Sequence, residues 1–156
     1  MTFPRPTVDL RRPPAEFDRL VEWFESASYR LVLLEEYPLE EIRRWVEVVV
    51  TAVGLHGRLE DPLLAALRPR TSDDATLVRI LAADHVWFRT SVEQLEWFFS
   101  IVEHEDHGGH RQALGQYGRV FAESLRRHRT DERELVRRLA AETGPDRTAA
   151  VAGNRK

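Results

Sequence analysis

The chain has 156 residues, 42% of them hydrophobic and 31% charged, which is enough to bury the core of one domain. Its formal charge of −3 offers nucleic acid no attractive field, and no apolar run approaches the roughly 18 to 20 residues a membrane span needs. There is no cysteine, which excludes disulfides, thiolate metal sites and cysteine nucleophiles; any metal must be held by imidazole and carboxylate.

Residues 1–14 carry Arg5, Arg11 and Arg12 without an apolar run, so they read as an arm and not a secretory signal. A cytoplasmic protein is the expectation. Pro13-Pro14 opens a first helix predicted to run to about Glu36, where Tyr37-Pro38 interrupts it. A second helix is predicted from about Leu39 to Leu67, stopping before Pro69 and kinked by Pro62 just beyond Glu60. Thr71, Ser72 and Asp73 supply capping side chains for a third helix reaching about Glu103. His107-Gly108-Gly109 is a turn signal, and a fourth helix follows from His110 to about Glu142, ended by Gly144-Pro145. Residues 143–156 read as a flexible tail.

Apolar residues recur in steps of three and four along these segments, and basic and acidic residues alternate on the remaining faces. The second helix reads Ile42, Trp45, Val49, Ala52, His56, Glu60, Leu63, Leu67. The third reads Leu77, Leu81, His85, Phe88, Val92, Leu95, Phe99, Val102, and the fourth Leu114, Tyr117, Phe121, Leu125, His128, Glu132, Leu135, Leu139. Short connections make neighbours antiparallel, so the fold class is all-α: an up-down-up-down four-helix bundle over residues 15–142.

Polar residues interrupt the stripes at a few points. His56 and Glu60 lie four apart on the buried line of the second helix, His128 and Glu132 do so on the fourth, and His85 interrupts the third. Counted from the helix ends at about 1.5 Å per residue, the three histidines fall in one layer of the bundle. Burying unpaired carboxylates costs several kcal/mol, so Glu60 and Glu132 need partners, and a metal ion would serve both them and the imidazoles.

The segment His56-Gly57-Arg58-Leu59-Glu60, followed by Leu63-Leu64, resembles the signature of the hemerythrin-like (HHE cation-binding) domain family, and His128-Arg129-Thr130-Asp131-Glu132, followed by Leu135-Val136, resembles its repeat. Asp84-His85 is similar to the lone histidine that precedes the second signature, and the likeness covers roughly residues 15 to 141. The resemblance implies non-haem iron, two ions rather than one, with His56, His85 and His128 as terminal ligands and Glu60 and Glu132 as bridging or chelating carboxylates. The first helix departs from the family pattern: Val21 stands where a histidine is expected, and Glu22 and Glu25, the possible substitutes, fall off the stripe through Phe17, Val21 and Phe24. The third helix has Leu81 and Arg89, not histidine, four residues either side of His85, which argues against reversible oxygen carriage.

The resemblance thus implies a protein that binds and activates dioxygen or peroxide, oxidising a small molecule or scavenging peroxide. The alternatives are an iron or oxygen sensor or carrier without turnover, and a metal-free structural bundle. A monomer or homodimer is expected, with no nucleic-acid or membrane partner. Trp23, Trp87 and Phe88 are candidates to line an apolar access pocket, and Tyr29 and Tyr117 are read as core packing. His104, His107 and His110 read as a solvated acidic turn, roughly 27 Å along the axis from the core histidines.

Overall fold

The computed structural model describes residues 15–33, 38–105 and 107–142. The expected arm and tail, and the expected end of the first helix at Glu36, lie outside them. Four helices account for nearly all of the described chain: α1 (Ala15–Val32), α2 (Leu39–Ala66), α3 (Ser72–His104) and α4 (Gly108–Glu142), with no strand among the described residues. The chain is an all-α four-helix bundle in which α1 packs chiefly on α4, α4 on α3, and α3 on α2.

The boundaries follow local chemistry. Thr71 caps α3 by accepting a hydrogen bond from the Asp74 N–H at 3.1 Å. Helix α2 continues through Pro62 to Ala66, although Pro62 leaves the Arg58 carbonyl without its usual helical donor. Helix α4 begins at Gly108, two residues earlier than its sequence signal suggests, because the His107 carbonyl accepts from the N–H of His110.

Phe24, Phe88 and Phe121 are fully buried and meet edge to face, with Phe24–Phe121 and Phe88–Phe121 centroids each 5.8 Å apart. Trp45, Val49, Leu95, Val102, Leu114 and Leu125 extend this core along the bundle. Two residues read as core are exposed instead: Leu63 at 65% and Tyr29 at 50%, the latter lying under the Arg119 guanidinium. Tyr117 does pack, against Phe98 at 5.3 Å.

The α1–α4 contact is unusually close because α4 presents Gly115 and Gly118 to Ser28 of α1. Gly54 is different: a Cβ there would meet nothing within 4 Å. Gly54→Ala should therefore stabilise the protein by about 0.5–1 kcal/mol through helix propensity alone. A lower denaturation midpoint in Gly54→Ala would contradict this.

Candidate metal centre

Helix α2 contributes His56, Glu60 and Asp61; α3 contributes Asp84 and His85; α4 contributes His128, Arg129 and Glu132. The i,i+4 spacing of His56–Glu60 and of His128–Glu132 puts each pair on one helical face. The five residues singled out from sequence come together, each offering a donor atom within 4.8 Å of the others. His128 Nε2 lies 3.1 Å from His85 Nε2 and 3.3 Å from His56 Nε2. Glu132 Oε1 lies 3.2 Å from both His56 Nε2 and His128 Nε2. Glu60 Oε2 stands further off, 3.7 Å from His85 Nε2 and 3.9 Å from His128 Nε2. His85, His128 and Glu132 are buried, and Glu60, with 26% of its side chain exposed, forms the edge that meets solvent.

The outer nitrogens of two imidazoles are held by carboxylates. His85 Nδ1 donates to Asp61 Oδ1 at 2.7 Å, and His128 Nδ1 donates to Asp84 Oδ2 at 3.2 Å. An ionised carboxylate can only accept, so each Nδ1 carries a hydrogen, and a ring without a second one presents a bare lone pair at Nε2. The hydrogen bond from His85 holds Asp61 below the usual carboxylate range, which keeps it an acceptor. Burial pushes His85 down, with help from the neighbouring imidazoles and against the pull of Asp61, which keeps the ring neutral. The two Nε2 atoms face each other across 3.1 Å, where at most one of them has room for a hydrogen. Such an arrangement calls for a cation between them. Glu132 Oε1 adds to the demand: it is buried and has no hydrogen-bond donor. These donors fit a metal ion of the class that imidazole and carboxylate suit.

The two carboxylates are driven apart. Burial, reinforced by the negative charge of Glu132, pushes Glu60 up to about 9. Burial works in the same direction on Glu132, but the surrounding His128, His56 and Glu60 contacts outweigh it and hold that carboxyl below its ordinary value. At neutral pH Glu60 thus keeps a proton that a metal would have to displace. The sign follows: because the folded value is raised, the metal-free protein loses stability as pH rises from 4.5 towards about 9. Metal affinity rises over the same interval, by up to about tenfold per pH unit for one released proton. Dissociation constants for Zn2+ at pH 6.5, 7.5 and 8.5 check this, and a flat series would refute it.

The first helix supplies none of the five donors. Neither Glu22 nor Glu25 joins the cluster: Glu22 is exposed, and Glu25 pairs with Arg126 away from it. Helix α1 reaches the site with its first turn. There Phe17 stacks on the His56 ring, centroids 4.4 Å apart and planes 16° apart, and Asp18 Oδ1 accepts from Arg129 Nε at 3.1 Å. Arg129 is itself buried and donates through its Nη1 to Glu132 Oε2. Of the residues read as pocket lining, Phe88 packs against His128 at 5.1 Å, Trp87 lies against Phe121, and Trp23 packs on the core.

Asp61, Asp84, Asp18 and Arg129 were not singled out from sequence as partners of the site. Asp61 and Asp84 each sit beside a candidate ligand in the chain, and that adjacency was the available signal. A second group, Glu105, His107 and His110, also brings donor atoms within 4.8 Å, but where α3 gives way to α4, with Glu105 and His107 exposed and His110 half-buried in the first turn of α4. No helix of the described residues is long and apolar enough to cross a membrane. No family model, curated protein or solved structure matches the chain.

Proposed function

We propose that the buried centre binds iron and serves a protein that binds and reduces dioxygen or peroxide, oxidising a small molecule or removing peroxide. The observation that carries the metal reading is the convergence of three imidazole Nε2 atoms and the buried Glu132 Oε1, with His128 Nε2 within 3.3 Å of each of the others. The choice of iron rests on the donor set, which holds nitrogen and oxygen and no sulfur, and on the likeness of the two His-x-x-x-Glu segments to the HHE signature. Iron held by these groups would supply one-electron chemistry towards dioxygen or peroxide.

The residues around the ligands have separable tasks. Asp61 and Asp84 set the tautomers of His85 and His128 and raise their basicity. Phe17 covers the face of His56 and keeps water from it. Glu60 is the exposed edge through which a small molecule approaches.

A second reading, a non-catalytic sensor or carrier, is favoured by one feature. The donors come from α2, α3 and α4, so occupancy would tie three helices together and couple metal to stability. Protein expressed with added iron separates the two. Stoichiometric iron, an optical band lost in His56→Ala, and consumption of oxygen or peroxide above free iron are expected. Bound iron without turnover of either oxidant leaves the sensor reading, and absence of any transition metal after anaerobic loading sinks both.

A further inference from the structure

We propose that the centre takes a single metal ion, with Glu132 fixed as a one-oxygen ligand by Arg129. The inference rests on the metal reading above and specifies it further.

The first support is spacing. Ligand atoms sharing one ion at bonds of about 2.0–2.1 Å, with angles between 90° and 109°, lie roughly 2.9–3.4 Å apart. His128 Nε2 lies 3.1–3.3 Å from His85 Nε2, His56 Nε2 and Glu132 Oε1, and His56 Nε2 lies 3.2 Å from Glu132 Oε1. In a two-ion centre the metals themselves stand about 3.5–4 Å apart, and terminal imidazoles on different ions point away from each other. His128 Nε2, within 3.3 Å of the other two Nε2 atoms, leaves no room for that division.

The second support is the state of the carboxylates. A carboxylate that bridges two ions through both its oxygens must turn both to metal. Glu132 turns Oε1 to the imidazoles, while Oε2 accepts from Arg129, whose Nε donates to Asp18 at 3.1 Å. Asp18 also binds Arg133, so this anchor is held from two sides. Glu60 is split in a similar way: Oε2 faces the Nε2 atoms and Oε1 lies 3.2 Å from His56 Nδ1. Charge points in the same direction. A buried guanidinium in contact with Glu132 neutralises part of what would otherwise balance a second dication. The first helix therefore serves the centre through a positioning residue on α4, in place of a ligand of its own.

The test is Co2+ titration of the full chain, followed by metal analysis and visible absorption. A His107→Ala/His110→Ala background removes the imidazoles at the junction of α3 and α4 from the count. One Co2+ per chain is expected. Arg129→Leu should weaken binding by about 10- to 100-fold and alter the Co2+ spectrum, and Arg129→Lys should recover most of the affinity. Two ions per chain would overturn the inference while leaving the metal reading intact; no bound ion would overturn both. An Arg129→Leu protein with parental affinity and spectrum would remove Arg129 from the account. Should that variant fail to fold, the stoichiometry of the Arg129-containing chain decides the number of ions.

Discussion

Replacing His128 with alanine should make the melting temperature of the protein indifferent to added metal. His128 Nε2 is the atom the cluster shares, 3.1 Å from His85 Nε2, 3.3 Å from His56 Nε2 and 3.2 Å from Glu132 Oε1. Its loss removes a donor and the hydrogen-bond partner that positions Asp84. A ligand at a thousandfold excess over its dissociation constant stabilises the native state by about 4 kcal/mol. For a chain of this size that is a rise of roughly 8–16 °C, and His128→Ala should lose nearly all of it. Calorimetry with and without anaerobic Fe2+ measures the difference directly. The His107→Ala/His110→Ala protein should keep the shift, because those imidazoles belong to a separate group at the junction of α3 and α4. A metal-induced rise in His128→Ala equal to that of the parent would disconnect the buried cluster from metal binding.

Support passes around the bundle from each helix to the next. Asp61 of α2 orients His85 of α3, and Asp84 of α3 orients His128 of α4. Arg129 of α4 is anchored on Asp18 of α1, and Phe17 of α1 lies on His56 of α2. In each case the supporting residue is next in sequence to a site residue or to another supporter, and it acts across a seam. One-residue adjacency on a helix turns a side chain by about 100°, enough to leave the core face and reach the neighbouring helix. Deleting one supporter should therefore disturb a ligand on a different helix, a pattern that separates second-layer effects from local damage.

This geometry explains why some parts were legible in the sequence and others were not. The helices were readable from local chemistry, with Thr71 as a cap and Pro38 before Leu39, although the glycines at 108 and 109, read as a turn, lie inside α4. The five donors were readable because polar residues at core spacing violate a strong rule, and His56, Glu60, His85, His128 and Glu132 all did so. Leu63 misled because it continues the stripe in the half of α2 beyond His56, where it lies 65% exposed. Arg129, Asp18 and Asp61 look like ordinary surface charges in sequence. Their partners lie 111 residues apart for Arg129 and Asp18, and 24 apart for Asp61 and His85, and no single-helix periodicity encodes a pairing between helices. The preference for two irons came from the resemblance alone, whereas the number of ions depends on carboxylate oxygens that only the pairing with Arg129 assigns.

Gly115→Leu should destabilise the protein by about 3 kcal/mol or more, lowering its melting temperature by roughly 6 °C or more. A Cβ at Gly115 would stand 2.7 Å from the Ser28 carbonyl oxygen, 2.8 Å from Leu31 Cβ and 2.9 Å from the Val32 nitrogen. Two of these atoms are backbone, so no rotamer change relieves the overlap and the two helices must separate. The helix-propensity gain from replacing glycine, about 1 kcal/mol, works the other way and is too small to offset this. At Gly118 the obstacle is the Ser28 side chain, whose hydroxyl donates to the Phe24 carbonyl at 2.8 Å. Gly118→Ala should therefore be partly rescued by Ser28→Ala, with about 1 kcal/mol of coupling in a double-mutant cycle, whereas Gly115→Leu should gain nothing from it. Chemical denaturation of the single and double variants gives the cycle. If both glycine variants respond equally to Ser28→Ala, the seam is yielding through side chains, and the backbone contact at Gly115 is not what sets the distance between α1 and α4. Because Phe17 and Asp18 ride on the same helix as Ser28, that distance also sets how firmly Arg129 is held, so metal affinity should fall with stability in the Gly115 series.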